Sequence, residues 1–236
     1  MEKTRIVLLG ANGRMGQAIH RLALADAAFE IVALVTRSDP KARVVDQIAC
    51  YSVKEIAAVP DFDVLIDFSL PEGFDTALQL CADRGRALVS GTTGLSEHQQ
   101  AAITATAAKI PVLWASNFSL GVAVLEALVA RAAAQLPGWN CDIVESHHVH
   151  KKDAPSGTAL TLGKAAADAG ADVHYASVRA GDIVGEHLVQ FTSIGERIEL
   201  VHRATHRDIF ARGALHAAQW LKSRAPGQYK IADSLD

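Results

Sequence analysis

Two alternating patterns of hydrophobic and polar residues run along this chain of 236 residues. Short runs that are almost entirely apolar predict strands buried on both faces, and longer segments with apolar residues every three or four positions predict helices. In the first half, strands are expected at residues 5–9, 31–35, 64–68, 87–90 and 111–115, and helices at 13–26, at 71–84 and from 96. This alternation predicts a parallel sheet with helices between its strands.

The pattern changes after residue 117. Helices are expected at residues 120–136, 155–169 and 208–224, one strand at 142–146, and three or four more strands between 174 and 203, with turns at Gly181 and Gly195. Consecutive strands predict a mixed or antiparallel sheet. The predicted fold class is α/β, with a Rossmann-like dinucleotide-binding domain at 1–118 and a second α+β domain with a mixed sheet at 119–212. We expect the tail, residues 213–236, to return to the first domain.

Three glycines, Gly10, Gly13 and Gly16, punctuate the turn between the first strand and the first helix. Glycine permits a sharp turn and lets backbone N–H groups approach a pyrophosphate, while the helix N-terminus favours negative charge. The turn predicts a dinucleotide site formed by Gly10, Ala11, Asn12, Gly13, Arg14 and Met15. The spacing G-x-x-G-x-x-G differs from the more common G-x-G-x-x-G, so a turn that only begins a helix is the alternative.

Further cofactor contacts are expected at the ends of later strands. Thr36 and Arg37 occupy the position where an NAD site carries a carboxylate for the ribose. Arg37 could instead pair with a 2′-phosphate, which favours NADPH over NADH, although an ordinary exposed arginine is the alternative. Two loops are expected to meet the nicotinamide end, and they comprise Gly91, Thr92 and Thr93, then Ser116, Asn117, Phe118 and Ser119.

Residues 145–158 hold the densest chemistry, with three histidines and two lysines between His147 and Lys152. Pro155 suits a first helical turn, which would leave the N–H groups of Ser156, Gly157 and Thr158 as a carboxylate site. His148 and Lys151 could hold a second carboxylate or donate a proton. A solvated basic loop is one alternative. A metal site is another, but no further ligands complete a set, so no metal is expected.

The composition limits the binding partners and the cellular compartment that we expect. A formal net charge of −3 gives no reason to expect nucleic acid or an anionic membrane as a partner. Three isolated cysteines suit a reducing compartment, and the N-terminus shows no targeting segment, so we expect a cytoplasmic protein.

The 145–158 segment meets every fixed position of E-x-H-H-x-x-K-x-D-A-P-S-G-T, the pattern typical of 4-hydroxy-tetrahydrodipicolinate (dihydrodipicolinate) reductases. Similarity to this family extends over nearly the whole chain, including the glycine turn, residues 91–93 and 116–119, and the stretches 195–207 and 210–214. Two features depart from it. The stretch between Thr36 and Asp61 is shorter than is usual in the family. Thr36 stands where many members carry an acidic residue, so the family's use of both NADH and NADPH does not follow for this chain.

The resemblance implies an enzyme of lysine biosynthesis by the diaminopimelate pathway that passes hydride from NADPH or NADH to a cyclic dicarboxylate. It implies catalytic roles for His147 and Lys151, and substrate binding by His148, Ser156, Gly157, Thr158 and Arg207. It also implies a homotetramer formed through the second domain. Another small-substrate dehydrogenase is one alternative. A catalytically silent dinucleotide sensor is the other, but such a protein would not need the His and Lys groups.

Overall fold

The computed structural model describes residues 2–235 and divides the chain into two compact units. The first unit combines the chain up to Phe118 with the chain from Phe210 onwards. The second unit is the segment between them, Ser119–Ile209.

The first unit contains an eight-stranded sheet with helices on both faces. Its elements are β1 (Thr4–Leu9), α1 (Arg14–Leu24), β2 (Phe29–Thr36), β3 (Val44–Val45), β4 (Ile48–Ser52), a 3₁₀ helix (Val53–Ala58), β5 (Val64–Asp67), α2 (Pro71–Arg84), β6 (Ala87–Ser90), α3 (Glu97–Ala107) and β7 (Pro111–Trp114). The remaining elements of the chain are α4 (Leu120–Gln135), β8 (Asn140–His147), α5 (Gly157–Asp168), β9 (Val173–Arg179), β10 (Gly185–Ser193), β11 (Glu196–Ala204), α6 (Asp208–Leu221), β12 (Gly227–Tyr229) and a final 3₁₀ turn (Ile231–Leu235).

The sheet order is β12-β7-β6-β5-β1-β2-β4-β3, and every neighbouring pair is parallel except β3 with β4. Alternate side chains of β1 enter separate cores. Ile6 and Leu8 pack with α1 and α6, and Val7 and Leu9 pack with α2 and α3. Burial on both faces is the physical reason why these strands are apolar throughout, and the predicted parallel sheet is confirmed.

Two parts of the first sheet had no sequence prediction. The β3–β4 hairpin turns through Asp46 and Gln47, both with positive φ, without the glycine that usually announces such a turn. The short β12 pairs in parallel with β7, so residues from the C-terminal end of the chain form one edge of the sheet.

The second unit is a four-stranded mixed sheet in the order β11-β10-β8-β9. Only β8 and β9 are parallel. Helices α4 and α5 cover one face, around Leu125, Val129, Leu162 and Phe191. This confirms the predicted mixed sheet and the three strands between residues 174 and 203.

The opposite face of this sheet carries an apolar row that crosses all four strands. Ala176, Val144, Leu188 and Val201 are neighbours in register. Ala176 and Val201 are exposed, and Val144 and Leu188 are half-buried. Within residues 2–235 no helix is long and apolar enough to cross a membrane.

One predicted helix start was wrong. Residues 155 and 156 precede α5, which begins at Gly157, because the hydroxyl of Ser156 accepts the N–H of Ala159 at 3.2 Å and so caps the helix. Pro155 therefore lies outside the first turn. The last long helix, α6, ends at Leu221 rather than near residue 224.

Candidate active site

The glycine turn of the first unit is built by close backbone approaches. Gly10 has a φ of 82°, and a Cβ there would lie 2.4 Å from the carbonyl oxygen of Phe68. A Cβ on Gly16 would lie 2.2 Å from the carbonyl oxygen of Gly10. Gly13 caps α1 without a side chain, so the helix N-terminus opens directly onto the turn. The turn therefore has the geometry that a phosphate-binding loop requires.

A cavity of about 470 Å³ lies against this turn. Five predicted cofactor residues line it: Gly10, Asn12, Gly13, Thr36 and Arg37. The Thr36 hydroxyl lies 2.7 Å from the carbonyl oxygen of Ser38, whereas Arg37 is exposed at the rim. Ala11, Arg14 and Met15 belong to the same turn and the first residues of α1, and Ala11 is buried.

Asp67, for which no role was predicted, organises the loops beside the cavity. This buried carboxylate accepts hydrogen bonds from the hydroxyls of Ser69, Ser90 and Thr92. Burial raises the pKa of Asp67, although these hydrogen bonds oppose the shift. Thr92 is thereby held inside the unit, and its carbonyl accepts the indole N–H of Trp114 at 2.9 Å. The available signal was a carboxylate at the end of the otherwise apolar strand β5.

The other predicted cofactor residues occupy different environments. Gly91 lies against the Phe68 ring, where a Cβ would approach to 2.2 Å, and Thr93 is exposed. In the next loop Ser116 is exposed, Asn117 is half-buried, and the Phe118 ring packs 5.2 Å from that of Phe68. Ser119 caps α4 in the second unit.

In the second unit, the functional side chains gather at the end of β8. Glu145 and His147 are two residues apart and therefore project to the same face of the strand. The Glu145 carboxylate contacts Nδ1 of His147 in a short hydrogen bond. Glu145 is fully buried, and His147 is 8% exposed.

Several donors surround the Glu145 carboxylate. The Arg179 guanidinium donates to both oxygens, at 3.0 and 2.7 Å, and the N–H of Ser156 donates to Oε1 at 3.3 Å. Burial alone would raise the pKa of Glu145, but hydrogen bonds from Arg179, Ser177 and His147 outweigh it and hold the pKa at about 2. The Ser156 N–H is therefore occupied, which corrects the prediction that it is an unpaired donor of a carboxylate site.

The remaining predicted substrate-binding and catalytic residues occupy separate positions in the second unit. Gly157 occupies the first position of α5, where a helix N–H has no partner within the helix, and Thr158 follows it. His148 is half-buried and its Nδ1 has no partner among residues 2–235. Lys151 donates to Asp153 at 2.8 Å. Arg207 is exposed in the turn between β11 and α6.

Two further histidines were missed because their strands are distant in sequence. His187 pairs in register with Glu145 on one side and His202 on the other. The His187 ring packs edge-on to His147, with centroids 5.3 Å apart. Burial, aided by the nearby His147 and His202, lowers the pKa of His187 to about 4. These histidines form no candidate metal site: no group of three metal-binding side chains occurs within residues 2–235.

Comparison with known proteins identifies the family of this arrangement. The profile described as "Dihydrodipicolinate reductase, N-terminus" matches residues 4–118, and "Dihydrodipicolinate reductase, C-terminus" matches residues 121–235. The chain belongs to the dihydrodipicolinate reductase family. The family resemblance drawn from residues 145–158 is thus confirmed.

Named members of the family are similar along nearly their whole length. A 4-hydroxy-tetrahydrodipicolinate reductase of Stenotrophomonas maltophilia is 65% identical over 98% of this chain and 97% of its own. A reductase of the same name from Xanthomonas campestris is 60% identical over 97% of this chain and 96% of its own.

A solved structure shares the fold. A dipicolinate-bound dihydrodipicolinate reductase from a Paenisporosarcina species has a TM-score of 0.83 at 22% identity, and the match covers 97% of this chain and 98% of that one. A diaminopimelate dehydrogenase of Corynebacterium glutamicum has a TM-score of 0.63 at 13% identity, over 99% of this chain and 94% of that one.

Proposed function

We propose that this chain reduces 4-hydroxy-tetrahydrodipicolinate to tetrahydrodipicolinate with a nicotinamide dinucleotide, as a step of lysine biosynthesis through diaminopimelate. The observation that carries the proposal is the 65% identity with a reductase of this name over 98% of the chain. The cluster of Glu145, His147 and Lys151 supports it, since it supplies the acid and base groups that such a reduction needs.

We assign dinucleotide binding to the first unit and substrate binding to the second. The glycine turn fits a pyrophosphate because Gly10 and Gly16 leave no room for a Cβ, and because the cavity begins at the α1 N-terminus. The nicotinamide dinucleotide, when bound, would supply the hydride. Arg37 at the cavity rim supports a preference for NADPH, since Thr36 rather than a carboxylate ends β2, where an NAD site binds the ribose 2′-hydroxyl.

Two further loops of the chain are assigned to cofactor binding. We assign residues 91–93 and 116–119 to the nicotinamide end. Thr92 supports the first of these loops from inside, because its hydroxyl is bonded to Asp67 and its carbonyl to Trp114.

In the second unit we assign proton exchange with the substrate to His147 and Lys151. The reduced ring develops negative charge that a positioned acid must neutralise. His148, Gly157, Thr158 and Arg207 are assigned to the two substrate carboxylates. The unpartnered Nδ1 of His148 and the start of α5 support this assignment. Ser156 contributes by capping α5 and holding Glu145.

We also propose a cytoplasmic homotetramer. The row formed by Ala176, Val144, Leu188 and Val201 supports assembly through the second unit, because it leaves apolar side chains on a sheet face without helices. Light scattering on the purified chain measures the number of copies directly. A monomer at micromolar concentration would contradict this proposal.

The reaction is tested by following the near-ultraviolet absorbance of NADPH, and separately of NADH. The preceding synthase generates the substrate in the cuvette from pyruvate and aspartate semialdehyde. We expect oxidation of the cofactor that requires the synthase, and faster oxidation of NADPH. Folded, cofactor-bound protein that oxidises neither cofactor would overturn the proposal.

Dipicolinate, a planar dicarboxylate, provides a second test. We expect it to compete with substrate for the carboxylate-binding residues of the second unit. Its presence in the related Paenisporosarcina structure supports its choice as a probe. Unchanged kinetics at saturating dipicolinate would contradict the assigned carboxylate sites.

A further inference from the structure

One nitrogen of the His147 ring, Nδ1, is anchored by a residue of the same strand. Glu145 contacts Nδ1, and both residues belong to β8, which the sheet fixes from both sides through β9 and β10. A carboxylate can only accept a hydrogen bond once it is ionised. Nδ1 must then carry the proton of the neutral ring, which leaves the lone pair on Nε2.

Glu145 is itself restrained by groups from two other parts of the chain. Arg179 on β9 donates to both of its oxygens, and the Ser156 N–H before α5 donates to one. Arg179 also donates to the carbonyl oxygen of Asp153 at 2.6 Å, in the loop that carries Lys151. The same guanidinium thus ties Glu145 to the loop that holds the second predicted acid.

We propose that Glu145 and Arg179 form a charge-balanced pair that positions His147 through Nδ1 and presents Nε2 to the substrate. The inference rests on the proposed function, in which His147 exchanges a proton with the substrate. Glu145 and Arg179 are positioning residues, because they act through the imidazole. A carboxylate alone would raise the pKa of the imidazole and favour its cation, whereas the pair orients the ring without adding net charge.

The charges around His147 agree with this role. The groups that face it are Glu145 on β8, Arg179 on β9, His187 on β10 and Lys151 in the following loop. Burial is the main cause that lowers the pKa of His147. Glu145 opposes the shift, and the cations Lys151 and Arg179 add to it. Because the pKa of His147 is lowered, the neutral ring is favoured, and the lone pair of Nε2 is available to accept a proton.

The start of β10 leaves space at the nitrogen that we assign to the substrate. A Cβ added to Gly185 would lie 3.1 Å from Nε2 of His147. Gly185 is buried, so its missing side chain is not explained by exposure. It leaves Nε2 uncrowded while Glu145 holds the other side of the ring.

The proposal is tested by nitrogen NMR of the full-length protein labelled in histidine, with His147 assigned by comparison with His147→Gln. Nitrogen shifts distinguish the two neutral tautomers and follow the titration of one ring. We expect the Nδ1–H tautomer in the unmodified protein. We expect Arg179→Met to raise the titration midpoint of His147 by roughly one unit or more, because Glu145 then acts uncompensated. Arg179→Lys should restore most of the original value.

Arg203→Met is the matched control, because Arg203 is an exposed arginine of the same sheet that pairs with Glu186 rather than Glu145. We expect it to leave the His147 midpoint unchanged. Glu145→Gln should remove the tautomer preference, and if this variant does not fold, the two Arg179 variants decide the matter. An Nε2–H tautomer in the unmodified protein, or an unchanged or lower midpoint in Arg179→Met, would overturn the proposal.

The titration needs no turnover, so its result is independent of the reductase assay. If the titration gives the expected result but the protein oxidises no cofactor, the proposed pair stands and the proposed function fails. If the protein catalyses the reaction but the titration gives a contradicting result, the proposed function stands and the proposed pair fails. In active protein, Arg179→Met should also move the pH profile of kcat upward while leaving the KM for cofactor unchanged.

Discussion

The hydroxyl of Ser156 lies 3.2 Å from Nε2 of His187, so the residue that caps α5 also anchors a buried histidine of β10. Ser119 repeats this arrangement at the start of α4, with its hydroxyl 3.3 Å from Nε2 of His202. Each helix that covers the second sheet is thus joined at its first turn to a strand below it. The two serines connect the local chemistry of helix capping with the packing of the whole unit.

Removing one of these caps should therefore affect more than its helix. We expect Ser156→Ala to lower the free energy of unfolding by about 2–3 kcal/mol. About 1 kcal/mol comes from the lost cap, and the rest comes from leaving the buried His187 nitrogen unpaired. Urea unfolding measures the change. Ser96→Ala is the control, because Ser96 caps α3 by the same type of bond without a histidine partner. Equal losses in both variants would contradict the role given to His187.

His187 should make stability depend on pH. Its folded pKa of about 4 lies below the ordinary value, so the unfolded chain binds a proton first as the pH falls. Stability is therefore lost progressively from about pH 6.5 down to about pH 4, by roughly 3 kcal/mol at most. We expect His187→Gln to show a shallower decline over this window in urea unfolding measured at successive pH values. An identical slope in the variant would show that other groups cause the decline.

Lys151 should contribute to turnover more than to cofactor binding. We expect Lys151→Met to reduce kcat by roughly a hundredfold or more, the usual contribution of a positioned acid, while the dissociation constant of NADPH changes little. Steady-state assays and cofactor fluorescence measure the two quantities. Lys152→Met is the matched control, because Lys152 is the exposed neighbour in the same loop. Parallel losses of turnover and cofactor affinity would indicate a structural lysine.

Arg37 should discriminate between the two dinucleotides. It lines the cavity next to the glycine turn and directly follows Thr36, the last residue of β2. We expect Arg37→Ala to weaken NADPH roughly tenfold or more, as the loss of a charged hydrogen bond does, and to leave NADH nearly unaffected. Titration calorimetry with each cofactor measures both affinities. Equal weakening of the two would remove Arg37 from 2′-phosphate recognition.

The sequence predicted the elements whose signals are local. The apolar strands β1, β5, β6 and β7 follow from burial on both faces, and the glycine turn follows from backbone geometry. The β3–β4 hairpin could not be predicted because its turn residues, Asp46 and Gln47, are ordinary polar residues with positive φ.

In the candidate site, too, the residues marked by a local pattern could be predicted, and those brought together by the fold could not. His147 and Lys151 stand in one short segment, so sequence alone marks them. The bonds to Arg179 and His187 depend on strand register between segments more than thirty residues apart, which no local pattern encodes. The exact start of α5 was also missed, because it depends on which way the Ser156 side chain turns.

The return of the chain to the first sheet has a consequence for its synthesis. Strands β1–β7 leave the ribosome before the entire second unit, and long before α6 and β12. Until α6 arrives, the sheet face that Ala214, Leu215 and Leu221 contact lacks one of its helices. The first unit can thus finish folding only after the whole second unit and α6 have been translated. A nascent chain stalled before α6 would present apolar surface to chaperones and proteases.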